Sequence, residues 1–396
     1  MVKPFLKHIA QQILDKVNTD RLTVVLPSKR SIVFLKYYLS KYITKPIWLP
    51  KIYSIEDFIT ELSGLQTIDN LSLQFRLYEI FEVNRPENND DNFEQFLKWS
   101  QTILYDFNEM DRYLVDSKAL LTNLRDIKEL EQWSLNSAEL TPFQEKYVQF
   151  FYFLYDWYTT FKASLLKDNL AYQGLAYRQA ADSIVNLKHD FDEVWFVGLN
   201  ALTTAENKIV NHFVTNKNAK LFWDADAHYV ENDKHEAGLF LRQHFQKWGD
   251  AKLSRFFEKD KTIDIIGCAK NVAQARTAGH LLANLPKEDL SDSQTALVLA
   301  DENLLFPMLN NLPDSIKSVN ITMGAPINST PLFSLVDLLF KTQLNKQQYG
   351  KNKFHSKDIQ KLFRNPYLSR LIESSKLMAI NHHLNKKNIV FVSTSS

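Results

Sequence analysis

The sequence predicts an α/β protein in two α/β parts, the first interrupted by a block of helices. Three observations predict it. Short apolar runs of strand character alternate with helix-periodic segments over about residues 1–65, the pattern of a parallel sheet covered by helices. Between about 70 and 170 the pattern changes to helical periodicity alone. From 171 onward the alternation returns. At 396 residues the chain exceeds what one ordinary core organises, so two or three domains are expected.

The elements follow in order. Phe5, Ile9 and Ile13 fall on one helical face, while Gln11, Gln12 and Asp15 interrupt any apolar run, so the N-terminus reads as an amphipathic helix and not as a secretion signal. Leu22 to Lys36 reads as a buried strand around Val24, Val25 and Leu26, then a tight turn, then a helix. Residues 47–52 form a second extended stretch flanked by Pro46 and Pro50, and Ser54-Ile55-Glu56-Asp57 reads as a capping box opening a helix through Leu62. In the helical block Phe93, Phe96, Leu97, Ile103, Leu104 and Phe107 recur at helical spacing. Asn84 to Asn92 reads as a loop, and Thr141 caps a long aromatic helix that begins at Pro142.

The third block holds a buried strand, Glu193 to Val197, ended by Gly198. A second capping box (Thr203 to Glu206), a strand at Lys220 to Trp223 and a helix from about His235 to Trp248 follow. The charged run Glu258 to Lys261 marks a boundary. Beyond it the pattern predicts strands at Thr262–Ile266 and Thr295–Leu299, an extended Val319–Thr322, and helices after each, the last begun by Thr330 and Pro331. Residues 345–396 read as partly helical and end in an apolar run, Ile389 to Ser393. An apolar strand without a partner is an aggregation hazard. On this reading the natural chain continues past Ser396 and the last ~50 residues are poorly packed.

Composition narrows the class. Hydrophobic residues at 45% and charged residues at 23% are globular proportions. The 27 Phe, 16 Tyr and 7 Trp against 9 Gly favour long helices and firm packing. A net charge of +1 gives no bulk signal for nucleic acid, so any such contact must come from a local patch and must weaken with salt. The single Cys268 excludes an internal disulfide framework and a cysteine zinc cage. No apolar run approaches the ~18 residues of a membrane span, and a cytoplasmic setting is expected.

The turn after the first strand stands where a nucleotide-driven motor carries its phosphate loop. Such a loop needs glycines that let backbone N–H groups approach phosphate, then Lys and Ser or Thr. Here the turn is Pro27-Ser28-Lys29-Arg30, without glycine, which leaves Ser28, Lys29 and Arg30 as remnants of a nucleotide site. The strand of the third block ends in Val197-Gly198-Leu199-Asn200 with no acid to hold magnesium. Asp192 and Glu193 stand at its start, the wrong end of a parallel strand for a ligand. Asp224, Asp226 and His228 are weak metal candidates, since alternating acids at a strand end more commonly make turn and cap hydrogen bonds. No catalytic residue is assigned.

Several runs carry a resemblance: P-S-K-R-S-I-V-F-L-K (27–36), L-P-K-I-Y-S-I-E-D-F (49–58), L-Y-D-F-N-E-M-D-R-Y-L (104–114), V-W-F-V-G-L-N-A-L-T-T-A-E (194–206), L-F-W-D-A-D-A-H-Y (221–229) and I-T-M-G-A-P-I-N-S-T-P-L (321–332). Together, over about residues 20–370, they resemble the AddB-type subunit of bacterial helicase–nuclease complexes. The nearest form is that of Bacteroidetes, described as a PD-(D/E)XK nuclease family protein. The resemblance implies two RecA-like domains of a superfamily 1 helicase core. It divides the chain into a first domain at 1–69 and 171–258, a helical insertion at 70–170, a partial second domain at 259–345 and the start of a truncated helical subdomain at 346–396. It implies a DNA-binding and scaffolding role in double-strand-break repair beside an AddA-like partner, with no membrane role.

Departures from the family matter here. Leu299-Ala300-Asp301-Glu302 stands where an active helicase often shows an arginine. With the altered loop and the missing acid, it implies no ATP turnover, and ATP is not expected as a cofactor. The family's nuclease needs Mg²⁺ and lies at the far C-terminus. Pro313-Asp314 is followed by no acidic-x-Lys strand, and Asp116-Ser117-Lys118 and Asp126-Ile127-Lys128 read as solvated helix faces. DNA crossing a helicase core meets the loops above its strands, which nominates Tyr53, Ser54, Gln274, Arg276, Thr322 and Met323 beside Ser28, Lys29 and Arg30. The alternatives are an active ATP-dependent helicase with a degenerate phosphate loop and an adaptor that binds only protein.

Overall fold

The structure, a computed structural model, describes residues 4–16, 19–86, 89, 91–132, 142–186, 191–216, 218–249, 252–286, 288–290, 295–349 and 353–393. It is an α/β protein, mostly helical, with a parallel sheet. The chain divides into two compact units, residues 1–261 and 262–396.

The first unit begins with α1 (Phe5–Leu14), β1 (Leu22–Leu26), α2 (Lys29–Tyr42), β2 (Lys51–Ser54) and α3 (Ile55–Ser63). The expected strand at 47–52 is displaced toward its C-terminal side. Pro46 and Pro50 cannot donate to a ladder, so pairing with β1 starts at Lys51. Next come β3 (Gln66–Thr67), α4 (Asn70–Val83), α5 (Phe93–Arg112), α6 (Ser117–Gln132), α7 (Pro142–Lys167), β4 (Leu170–Ala171) and α8 (Gln173–Ser183). The Thr141 cap lies outside the described residues. The unit closes with β5 (Glu193–Val197), α9 (Thr204–Asn216), β6 (Asn218–Phe222), α10 (Ala227–Val230) and α11 (Leu239–Trp248).

The sheet runs β2-β1-β5-β6, every neighbouring pair parallel, with Val24 opposite both Ile52 and Trp195. Strand alternation sorts the side chains into two cores. Leu22, Val24, Leu26, Trp195 and Val197 pack against Ile9 and Ile13 of α1 and Leu35 and Leu39 of α2. Val25, Val194 and Phe196 face α3, α8 and α9 through Phe58, Ala180 and Phe213. Phe58 is the hub of that side, with ring centroids 5.9 Å from Phe196 and 5.6 Å from Phe213.

The helical block is inserted between β2 and β5, and none of its described helices joins the main sheet. β3 and β4 pair with one another in parallel, a two-residue clasp where the chain leaves and returns. The core of the block is aromatic: Phe81, Phe96, Phe107, Trp157 and Phe161 are all buried. Trp157 satisfies its buried indole by donating to the Asn84 carbonyl at 2.9 Å.

Helix α8 ties the block to the sheet. Its Leu175 and Ala176 belong to the aromatic core, whereas Tyr177, Ala180 and Ala181 belong to the sheet core. It approaches α5 so closely that a Cβ on Gly174 would collide with the Asn108 backbone. The Gly174 amide donates to Asn108 Oδ1 at 2.7 Å.

One buried polar cluster stands beside this contact. Fully buried Asp111 accepts from Tyr158 Oη at 2.6 Å, from Tyr172 Oη and from Arg178 Nε. Arg178 also donates to the carbonyls of Met110 and Val115 at 2.9 and 2.7 Å. A buried carboxylate is tolerated only with such complete partnering.

The second unit contains α12 (Asn271–Ala283), α13 (Leu305–Leu309), α14 (Pro331–Tyr349), β7 (Lys353–His355), α15 (Ser356–Arg364), α16 (Pro366–Ser369), α17 (Ser374–Lys386) and β8 (Phe391–Ser393). Two expectations are corrected here. The segments 262–266, 295–299 and 319–322 form no strand, because no neighbouring segment pairs with them among the described residues. Most of their apolar side chains stand outward, Ile265 at 94% and Val298 at 87% exposure, while Leu299 packs against Ala275, Leu282 and Met308. The final apolar run does have a partner: β8 pairs antiparallel with β7, Phe354 opposite Val392. Beyond that pair the packing of the described residues after 345 is sparse: Leu362 of α15 and Leu384 of α17 are buried, while Leu371, Met378 and Val390 are exposed. No helix among the described residues is long and apolar enough to cross a membrane.

Candidate functional site

In an open parallel sheet, ligands bind outside the carboxyl ends of the strands where the strand order reverses. Here β1 leads through α2 to β2 on one side, and β5 lies on the other, so the reversal falls between β1 and β5. The residues at that edge are Pro27, Ser28 and Lys29 after β1, Ser54 at the end of β2, and Gly198, Leu199 and Asn200 after β5.

Only Pro27 and Ser28 separate β1 from α2. A phosphate loop needs a longer, glycine-bearing span to wrap its ligand. Ser28 is instead the extended N-cap of α2. Its Oγ accepts from the Ser31 amide at 3.3 Å, and its own amide donates to Ser31 Oγ at 3.1 Å. This reciprocal box occupies amides that a phosphate would otherwise use.

Lys29 does not reach into the edge as a free cation. Its Nζ lies 3.1 Å from Asp57 Oδ1. Asp57 is held by Ser54, whose Oγ donates to Oδ2 at 2.7 Å and accepts the Asp57 amide at 3.1 Å. The register sets Leu26 opposite Ser54, so the ends of β1 and β2 meet through a Lys29–Asp57–Ser54 chain. Asp57 is the residue that motif reading missed; its place three positions after a capping serine marked it as a helix cap and not as a lysine's partner. Arg30 follows exposed on the first turn of α2. Tyr53 is half-buried against Phe58, and burial, then the charge of Glu61, raises its hydroxyl above the usual value.

The carboxyl end of β5 is also closed. Gly198 adopts φ 68, which glycine takes without strain, and its amide donates to the Phe222 carbonyl at 2.7 Å. Phe5 of α1 seats against it, 3.2 Å from where a Cβ would stand. Asn200 contributes its carbonyl to His244 Nε2 at 2.6 Å. The acids at the other end of the strand make structural contacts: Glu193 pairs with Lys16 and accepts from Trp195 Nε1 at 2.7 Å, which fastens α1 to the base of the sheet.

Asp226 acts as a cap. Its carboxylate accepts from the His228 amide at 3.1 Å, Ser254 Oγ at 2.7 Å and the Phe256 amide at 2.6 Å. Desolvation would raise its pKa, but these hydrogen bonds outweigh it and hold the carboxyl below its ordinary value. His228 stacks on Phe257. Asp224 lies in a separate groove of about 610 Å³, lined also by Trp223, Trp248 and Lys252, where desolvation raises its carboxyl pKa. No group of three potential metal ligands occurs among the described residues. In the second unit Gln274 and Arg276 are exposed on α12, Thr322 is exposed and Met323 half-buried in an extended segment, and Asp301 caps a short turn through the Asn303 amide at 3.0 Å.

Chemically, this edge offers cations, hydroxyls and a helix start, but neither a phosphate cradle nor an acid at the end of β5. No family model matches the chain, and no curated protein matches it.

Proposed function

We propose that this chain is the helicase-like, non-hydrolysing DNA-binding and scaffolding region of an AddB-like helicase–nuclease subunit, working with an AddA-like partner in double-strand-break repair. The observation that carries the reading is the two-residue turn between β1 and α2 at the sheet's reversal point, with Lys29 engaged by Asp57. The parallel order β2-β1-β5-β6, with a helical block between β2 and β5, supports the first RecA-like domain. Phosphoryl transfer depends on positioning and electrostatic stabilisation, so a chain lacking cradle, magnesium acid and arginine is left to bind DNA and a partner.

The test measures ATP turnover and salt-dependent DNA binding by the purified chain and by Lys29→Ala. The expected result is no turnover above background in either protein, and DNA binding that weakens as salt rises. Turnover that disappears in Lys29→Ala overturns the reading in favour of an active motor. Absence of DNA binding at low salt overturns it in favour of a protein-only adaptor.

A further inference from the structure

We propose that the outer face of α2, with the loop that follows it, is a binding track for single-stranded DNA; the inference rests on the DNA-binding reading above and names a surface for it. Helix α2 has two apolar faces where a surface helix needs one. Leu35 and Leu39 fill the sheet core. The opposite side carries Arg30, Val33, Phe34, Tyr37 and Lys41, whose spacings of three, four, seven and eleven residues from Arg30 set them in one stripe about 17 Å long. Phe34 and Tyr37 are about half exposed, and the Lys41 ammonium lies 4.3 Å from the Tyr37 ring centroid. The loop leaving the helix exposes Trp48 at 82%.

The charge of this region selects the occupant. Residues 21–55 contain seven cations (Arg21, Lys29, Arg30, Lys36, Lys41, Lys45 and Lys51) and no acid, in a chain whose net charge is only +1. The carboxylates that meet Lys29 and Arg21 are Asp57 and Asp192, both outside that run. An apolar protein partner would be served by the stripe without the cations. A polyanion with exposed planar faces uses both, phosphates on the lysines and bases on the rings. Duplex DNA hides its base faces, so the single strand is the form that fits.

The test is fluorescence anisotropy of the full chain with labelled oligothymidine at stepped salt, with duplex DNA as a competitor. Phe34→Ala and Tyr37→Ala are expected to weaken binding by about 5- to 150-fold per stack lost, while Tyr37→Phe retains affinity. Lys36→Gln with Lys41→Gln is expected to reduce the slope of log affinity against log salt by about 1.4. Circular dichroism melts of the variants report that the exposed substitutions leave the fold intact. Oligothymidine binding with unchanged affinity and slope in all variants overturns this inference alone and leaves DNA binding to the strand-end loops. The same result with loss of a partner protein overturns it too, and marks the stripe as a protein face. A wild-type chain that binds no oligothymidine at low salt overturns both this inference and the reading beneath it.

Discussion

Leu26 and Leu297 both sit in short apolar runs that read as strands, yet the first is fully buried and the second is 44% exposed. Leu26 belongs to β1, which has β2 on one side, β5 on the other and helices on both faces. Leu297 belongs to a segment of the second unit without a ladder partner among the described residues. The contrast shows that an apolar run states a demand for burial, whereas a strand also needs neighbours to take its N–H and C=O groups. In the first unit one of those neighbours comes from a segment over a hundred residues away, since β1 pairs with β5.

All seven tryptophans precede residue 262, so tryptophan fluorescence follows the first unit alone and hydrogen exchange can follow both. The largest effect is expected at the buried cluster that ties α5 to α8. Asp111→Ala leaves Arg178 buried without its carboxylate and two tyrosine hydroxyls without an acceptor. It should cost about 3–5 kcal/mol in the first unit, read as a lower urea midpoint by fluorescence. A midpoint shift below about 1 kcal/mol would show that the cluster is solvated and does not hold the helical block. Amide exchange of the second unit should stay unchanged, and slowing or quickening there would mean that the two units are energetically coupled.

The sharpest form of the comparison is one substitution made twice. Leu26→Ala should cost about 2–5 kcal/mol, because it opens a cavity between α1, α2 and the sheet. Leu297→Ala should change stability by no more than about 0.5 kcal/mol, as at other exposed positions. Equal costs at the two sites would contradict the exposure of the second.

The smallest effect concerns acid. His244 contacts both the Trp223 and Trp248 rings, with centroids 5.2 and 5.1 Å away. Burial lowers its pKa, the hydrogen bond to the Asn200 carbonyl opposes the shift, and Lys247 adds to it. The unfolded chain takes up this proton near pH ~6.5, before the folded one does. The stabilisation is thus present above that value and is lost as pH falls toward the folded pKa. Urea midpoints of the first unit should decline between pH 7.5 and 5.5, and His244→Gln should flatten the decline. Glu193 and Asp226, whose carboxyls are held low, stay ionised across that window. An identical decline in His244→Gln would assign the effect to another group.

Local chemistry by itself determined much of the first unit. The Ser54 and Thr203 caps, the strands around Val24 and Trp195, and the helical block with its aromatic periodicity all follow from residue spacing, because caps and amphipathic faces are settled within a few residues. The missing glycines after β1 were equally legible, and the short turn there is their structural counterpart. Tertiary structure decided the rest. It brought Asp57 to Lys29, seated Phe5 on Gly198, and turned Asp226 toward Ser254 and Phe256, each a contact between elements that spacing along the chain does not encode. It also paired β8 with β7 while leaving the runs at 262–266 and 295–299 unpaired. A helix's hydrogen bonds lie within itself and a strand's lie outside, so an apolar run became a strand where partners met it, as at β1 and β5, and stayed unpaired where none did among the described residues, as at 262–266 and 295–299.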